Sequence, residues 1–211
     1  MAGTMSRADL AASLKIALND AAEVFVNAED MGRLLDAAAQ DFNRHRPRTQ
    51  LGSFVVTADV SQYPVPADLY LFKSPLWGVA PQVRTKPWEK TWPGQLPRVQ
   101  IVEVSGARML HLVPAPTHHQ VNVLGSDYRY YYLGRHVIDE DANKTTIDAG
   151  DRFLLLLRAQ AEAMRELVNR NIKKPVQMRD GLNSAPKNMT PSAWCEKLLA
   201  EWEMKIEGLA A

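Results

Sequence analysis

The chain has 211 residues, 46% hydrophobic and 23% charged, with one cysteine and 25 basic against 24 acidic side chains. A chain of this size buries roughly 70% of its unfolded surface, enough for one good core or two small ones; ordinary apolar content and an unpartnered Cys195 exclude a disordered chain, a collagen-like repeat and a disulfide scaffold. The net charge of +1 argues against a strongly basic nucleic-acid gripper, and the longest apolar run, Phe153 to Leu157, is far short of the ~20 residues a membrane-spanning helix needs.

Ser6-Arg7-Ala8-Asp9 has the spacing of a capping box, and Leu10, Leu14, Ala17, Leu18, Ala21 and Phe25 follow at helical spacing, predicting a helix over 7–26. Asp9, Lys15 and Asp20 interrupt any secretory-signal core, so synthesis in a reducing cytosol is expected. Asn27-Ala28-Glu29-Asp30 starts a second helix, with Met31, Leu34, Leu35, Ala38 and Phe42 on one stripe until Pro47 stops it. The basic cluster Arg44-His45-Arg46-Pro47-Arg48 closes this segment.

From about residue 50 to 147 short β-branched and aromatic runs alternate with most of the thirteen prolines, which predicts a β domain. Phe54 to Thr57 reads as a strand, Tyr63-Pro64-Val65-Pro66 as an edge segment, Val99 to Val104 and Arg108 to Val113 as a hairpin turning at Ser105-Gly106, and Gln120 to Leu124 and Tyr128 to Leu133 as further strands. Trp77 to Pro97 reads as a long rigid loop whose tryptophans need a packing surface.

Helix returns at Asp148-Ala149-Gly150-Asp151, an acidic cap. Phe153, Leu157, Ala161, Met164 and Val168 set the stripe, widened by Leu154, Leu156 and Leu167, so this helix is the expected central packing element, ending near Ile172. Residues 173–189 read as an extended connection. Thr190-Pro191 then caps a last helix with Trp194, Leu198, Trp202 and Ile206 at four-residue steps, and the long connection before it suggests docking away from its own subunit.

Taken together, the elements predict an α+β chain. An α-helical bundle is built from the N- and C-terminal segments with an inserted antiparallel β domain, divided as 1–48, 49–147, 148–174 and 175–211.

Catalytic chemistry finds little foothold. Asp139-Glu140-Asp141-Ala142-Asn143-Lys144 starts like a calcium loop, but Lys144 stands where a glycine is needed and Gly150 where a bidentate glutamate is needed. His45, His111, His118, His119 and His136 lack zinc-protease spacing, and Cys195 reads as a packing residue. No nucleophile elbow, P-loop or dinucleotide fingerprint occurs, so no cofactor and no enzymatic activity are expected. Two basic clusters stand out: Arg44, Arg46 and Arg48, then Arg165, Arg170, Lys173, Lys174, Arg179 and Lys187. Either could meet phosphate, or complement a helix C-terminus.

The order of elements resembles the head-to-tail adaptor (neck, or connector) proteins of tailed bacteriophages over most of the chain. The residues that carry the resemblance are the basic, proline-marked end of the N-terminal helices; Tyr63-Pro64-Val65-Pro66-Ala67-Asp68-Leu69 after the first strand; and Leu110 to Pro116, a strand ending in proline-x-proline. Tyr128-Arg129-Tyr130-Tyr131 and the acidic cap before the alanine-rich helix Ala159 to Met164 complete it. The stretch from Trp77 to Pro97 has no match in that pattern.

The resemblance implies a structural virion subunit, assembled in the host cytoplasm, that forms a ring with itself, commonly of twelve copies, beneath the capsid portal. Its implied partners are the portal protein, further neck or tail proteins and transiently passing DNA, with no membrane. On that reading Trp194, Leu198, Trp202 and Ile206 dock on the portal, and Arg44, Arg46, Arg48, Arg170, Lys173 and Lys174 face the DNA channel. The alternatives are a metal-dependent hydrolase using His111, His118 and His119, and a nonspecific DNA-binding protein.

Overall fold

Residues 4–171 and 190–208 are described in the computed structural model; the extended connection expected over 173–189 lies outside them. The chain divides into two units, Met1–Arg46 with His136–Ala211, and Pro47–Arg135. The first is helical and the second is built on two small antiparallel sheets, an α+β protein.

In the helical unit, α1 (Arg7–Leu18) opens as its sequence dictates, the Ser6 hydroxyl accepting from the Asp9 N–H at 3.3 Å. Leu10, Leu14 and Leu18 bury one face at four-residue spacing. The helix ends earlier than its apolar periodicity suggests. Asn19 adopts a positive φ of 48°, a conformation asparagine tolerates better than most residues, and the chain continues as a 3₁₀ turn over Asn19–Val24. Helix α2 (Ala28–His45) then buries Met31, Leu34, Leu35, Ala38, Ala39 and Phe42.

Before α5 (Arg152–Asn171), the Asp148 carboxylate accepts from the Gly150 N–H at 2.7 Å. α5 packs against α1, α2 and α6 (Pro191–Gly208), which makes it the centre of this unit. Its buried side is Leu154, Leu155, Leu157, Ala159, Ala161 and Met164. Phe153, expected in the stripe, is instead exposed beneath the Lys205 ammonium. The alanines let α6 approach closely enough for the Cys195 thiol to reach the Ala161 carbonyl at 3.3 Å.

The ridge of α6, expected to dock on another protein, packs within its own chain. Leu198, Trp202 and Ile206 are buried in the helical core of their own chain, and only Trp194 keeps substantial exposure, at 37%. The Trp202 indole meets the edges of Phe42 and His45 with centroids at 6.4 and 4.8 Å, beneath the Arg158 guanidinium. A strict four-residue ridge reports burial, and α5 supplies the surface that buries it.

In the β unit, β1 (Arg48–Val55), β6 (Asp127–Gly134) and β3 (Leu69–Pro75) form one sheet in the order β1-β6-β3. The segments β2 (Gln62–Pro64), β5 (Ala107–Val113) and β4 (Arg98–Val104) form the other, in the order β2-β5-β4. The β4–β5 turn is two residues with positive φ at both Ser105 and Gly106, the hairpin geometry that matches strand twist.

Aromatics fill the core. Phe54 stacks on Tyr63 and Tyr128 at 4.3 and 4.7 Å, Phe72 stacks on Tyr130 at 5.6 Å, and the Trp77 indole N–H donates to the Gly125 carbonyl at 2.9 Å. Gly52 sits opposite Tyr130, and a Cβ there would stand 2.6 Å from that ring.

Two expectations change in and beside this unit. Residues 120–124 belong to a helix, α4 (His118–Leu124), after the short α3 (Val79–Arg84). Thr117 and Gln120 form a capping box, the Thr117 hydroxyl accepting from the Gln120 N–H at 3.2 Å and the Gln120 side chain accepting from the Thr117 N–H at 3.0 Å. The β unit also ends at Arg135 rather than 147, because Ile138 and Ile147 sink into the helical core.

Leu157→Ala should cost about 2–5 kcal/mol and Trp202→Ala about 3–5 kcal/mol of monomer stability, through the cavities they leave. Chemical denaturation of the dilute protein checks both. An unchanged midpoint for Trp202→Ala would remove α6 from the core.

Candidate functional site

Most of the arginines expected to face DNA are engaged by carboxylates of their own unit. Arg46 pairs with Asp151. Arg48 Nη2 lies 3.0 Å from Asp68, whose other oxygen accepts from the Tyr132 hydroxyl at 3.0 Å. The Gln50 amide oxygen, turned toward Arg48, accepts from its Nε at 2.8 Å. Arg170 binds Glu166 at 2.6 Å, Asp30 at 3.3 Å and the Val24 carbonyl at 2.9 Å, with its guanidinium 5.0 Å from the Phe25 ring centroid. Partly buried guanidinium groups require such partners. Arg44 alone among these four is held loosely, 3.6 Å from Asp41 with its side chain 72% exposed. Lys173 and Lys174 lie outside the described residues.

Nor do the histidines converge. His118 lies 3.4 Å from Asp59, His119 binds the Trp92 carbonyl at 3.0 Å, and His111 sits on β5. His136 belongs to the helical unit, its backbone N–H donating to the buried Asn43 side chain at 2.6 Å and its ring Nε2 lying 2.8 Å from the Arg46 carbonyl. Among the described residues no three His, Cys, Asp or Glu side chains are grouped to hold a metal. The calcium-like run spends its carboxylates on its own backbone: Asp139 accepts from the Asp141 N–H at 2.9 Å and Asp141 from the Asn143 N–H at 3.0 Å.

What the molecule does offer is surface for partners. On the sheet β1-β6-β3, the residues alternating with the core face are Leu51 opposite Tyr131 and Leu71 opposite Leu133. Leu51 and Leu71 are more than half exposed. Lys73 reaches across β6 to the Thr49 hydroxyl at 3.2 Å. The alternation of β1 and β6 contained this signal, since both faces of each strand carry large apolar side chains.

Charge is also partitioned. Between Pro47 and Arg135 stand nine Lys and Arg against five Asp and Glu, a net +4; the remainder carries sixteen against nineteen, a net −3. Near-neutrality is thus the sum of a basic unit and an acidic one.

The sheet β1-β6-β3 thus exposes apolar side chains, while Arg46, Arg48 and Arg170 are neutralised within their own units. The family model described as SU10 adaptor protein matches residues 5–183. The chain belongs to the SU10 adaptor protein family. A solved structure described as the neck of a native GTA particle, computed with C12 symmetry, aligns over 89% of this chain and 89% of its own, with 13% identity and a TM-score of 0.26. Among curated proteins none matches. Among the described residues of this adaptor, no helix is long and apolar enough to cross a membrane.

The ionic and aromatic networks give the two units of the adaptor opposite pH sensitivities. Burial pushes the Asp30 and Glu166 carboxyls up, but the guanidinium bonds of Arg33 and Arg170 outweigh it and hold both below their ordinary values of 3.8 and 4.5. Their contribution to stability is complete above those values and is lost as pH falls through the depressed native ones. In the β unit, burial raises Tyr128 and Tyr130, and burial reinforced by the Asp68 hydrogen bond raises Tyr132 from 10.0 to about 12. That contribution is complete below 10.0 and is lost as pH rises through the native values. Amide exchange should therefore show the helical unit loosening first below pH ~4 and the β unit first above pH ~10. Equal loosening of both units at each extreme would contradict the assignment.

Proposed function

We propose that this adaptor works at the head-to-tail junction of a virion, as a structural subunit that assembles with itself into a ring beneath the capsid portal, joins it to the tail, and leaves a passage for DNA. The observation that carries this reading is the adaptor family match over residues 5–183. The apolar outer face of β1-β6-β3 supports it, since a ring multiplies one exposed patch into a large interface.

The internal pairing of the arginines is consistent with passage rather than capture of DNA. Each phosphate contact adds to a salt-dependent grip, and Arg46, Arg48 and Arg170 have that role taken by Asp151, Asp68, Asp30 and Glu166. Arg44 is the described member of the set left for weak phosphate contact. On α6, Trp194 is the member of its ridge that remains for the portal.

Mixing the purified protein with its portal and imaging by electron microscopy should give ring density on one end of the portal. Leu51→Asp should reduce assembly without changing the monomer's unfolding midpoint, because the side chain is exposed. A protein that stays monomeric at all concentrations and fails to bind its portal would sink the reading.

A further inference from the structure

The segment from Val83 to Thr91 ends in an indole that its own unit does not use. Trp88 is 80% exposed, the most exposed of the large aromatic side chains, and Val83 on the same segment is equally so. The segment is built from successive backbone turns: Thr85 N–H to the Pro81 carbonyl at 2.9 Å, Glu89 to Lys86 at 2.9 Å and Trp92 to Glu89 at 3.0 Å. Its base is tied down by the Gln82 side chain donating to the Gly94 carbonyl at 2.9 Å. A hydrogen-bonded loop presents its tryptophan with little ordering entropy left to lose on binding, and tryptophan is the residue type richest in binding energy when a partner's pocket encloses it.

The helical unit carries a matching receptor. Where α1 ends, the positive φ of Asn19 and the following 3₁₀ turn leave an open groove of about 710 Å³ floored by Ala22 and Phe25. Ile16 and Val26 line it, 79% and 85% exposed.

Charge selects between the occupants of that groove. Asp20 and Glu23 lie on its rim and form no ion pair among the described residues, and neither do Arg84, Lys86 and Lys90 around the indole. The remaining charges also match in sign, Lys15 at the groove and Glu89 on the loop. On the larger scale the β unit is +4 and the helical unit −3. Loop against loop or groove against groove would set like charge against like, whereas loop against groove sets the basic unit of one copy against the acidic unit of another, and in a ring that contact runs head to tail.

We infer that Trp88 of one copy of this chain seats in the Ile16–Val26 groove of a second copy, with Lys86 and Lys90 facing Asp20 and Glu23. The contact anchors a larger interface and fixes its direction. This rests on the ring reading above and names the residues that set the ring's polarity.

Disulfide trapping between two full-length single variants, Pro87→Cys and Val26→Cys, tests it with the indole in place, and adding Trp88→Ala to the first should slow trapping about tenfold. Pro87 and Val26 are exposed and the native Cys195 is buried. Oxidising the equimolar mixture should give a crossed dimer about tenfold faster than a mixture of Pro87→Cys with Leu51→Cys. Adding Lys86→Glu to the first partner or Glu23→Lys to the second should each slow trapping about tenfold, and the two together should restore it. Sedimentation of the wild-type chain, alone and with portal, separates the two readings. Oligomers without the crossed dimer would overturn the Trp88 contact and leave the ring standing on another surface, the β1-β6-β3 face or an acidic site on the portal. Neither oligomers nor crossed dimer would overturn both.

Discussion

An inserted unit is possible only where the chain that leaves its host and the chain that returns come together, and this requirement organises both units. On the helical side, His136 resumes the host by binding the last turn of α2, its backbone N–H on Asn43 and its ring on the Arg46 carbonyl. On the β side, the first residue of β1 and the last of β6 are register partners, Arg48 against Gly134, and the two strands stay paired along their whole length to Val55 and Asp127. The closure is therefore made twice, by side-chain hydrogen bonds in one unit and by a strand ladder in the other. Asn43 is buried for this reason, and Arg46 adds the Asp151 pair that ties the end of α2 to the start of α5.

That closure was only partly legible in the sequence. Helical periodicity located α1, α2, α5 and α6, and the Ser105-Gly106 turn located the β4–β5 hairpin, because these signals are local. The texture of the β unit runs on to 147, but Ile138 and Ile147 belong to a helical core that only the fold brings to them. Residues 120–124 read as a strand but form helix α4, whose capping box, Thr117 and Gln120, stands in the sequence. β3 was missed: it is irregular, with register shifts either side of Leu71 and Phe72, and so lacks clean alternation.

The surroundings of the expected interaction residues are hidden from the sequence for a different reason. A run of cations is visible in a sequence, but the carboxylates that neutralise it are not: Asp68 is 20 positions from Arg48, Asp151 is 105 from Arg46, and Asp30 is 140 from Arg170. A strict apolar ridge such as Leu198, Trp202 and Ile206 likewise announces that something covers it without saying what. Here the cover is α5, whose Ala159, Ala161 and Ala163 are fully buried. Trp88 and the β1-β6-β3 face carry the opposite lesson, since large apolar side chains left over after the core is assigned are the ones available to partners.

The charge balance acquires a different meaning once the units are separated. A uniform mixture of 25 basic and 24 acidic side chains gives a molecule with no electrostatic preference for orientation. A basic insertion and an acidic host give each copy two units of unlike charge, and contacts between unlike units of different copies are then favoured over contacts between like ones. Pairing the arginines within each unit sharpens this effect, because it spends the charges that would otherwise grip phosphate and leaves those at the Trp88 loop and the α1–α2 groove for protein contacts. For contacts between copies, the sign that matters is the sign of each surface, and a sum near zero conceals it.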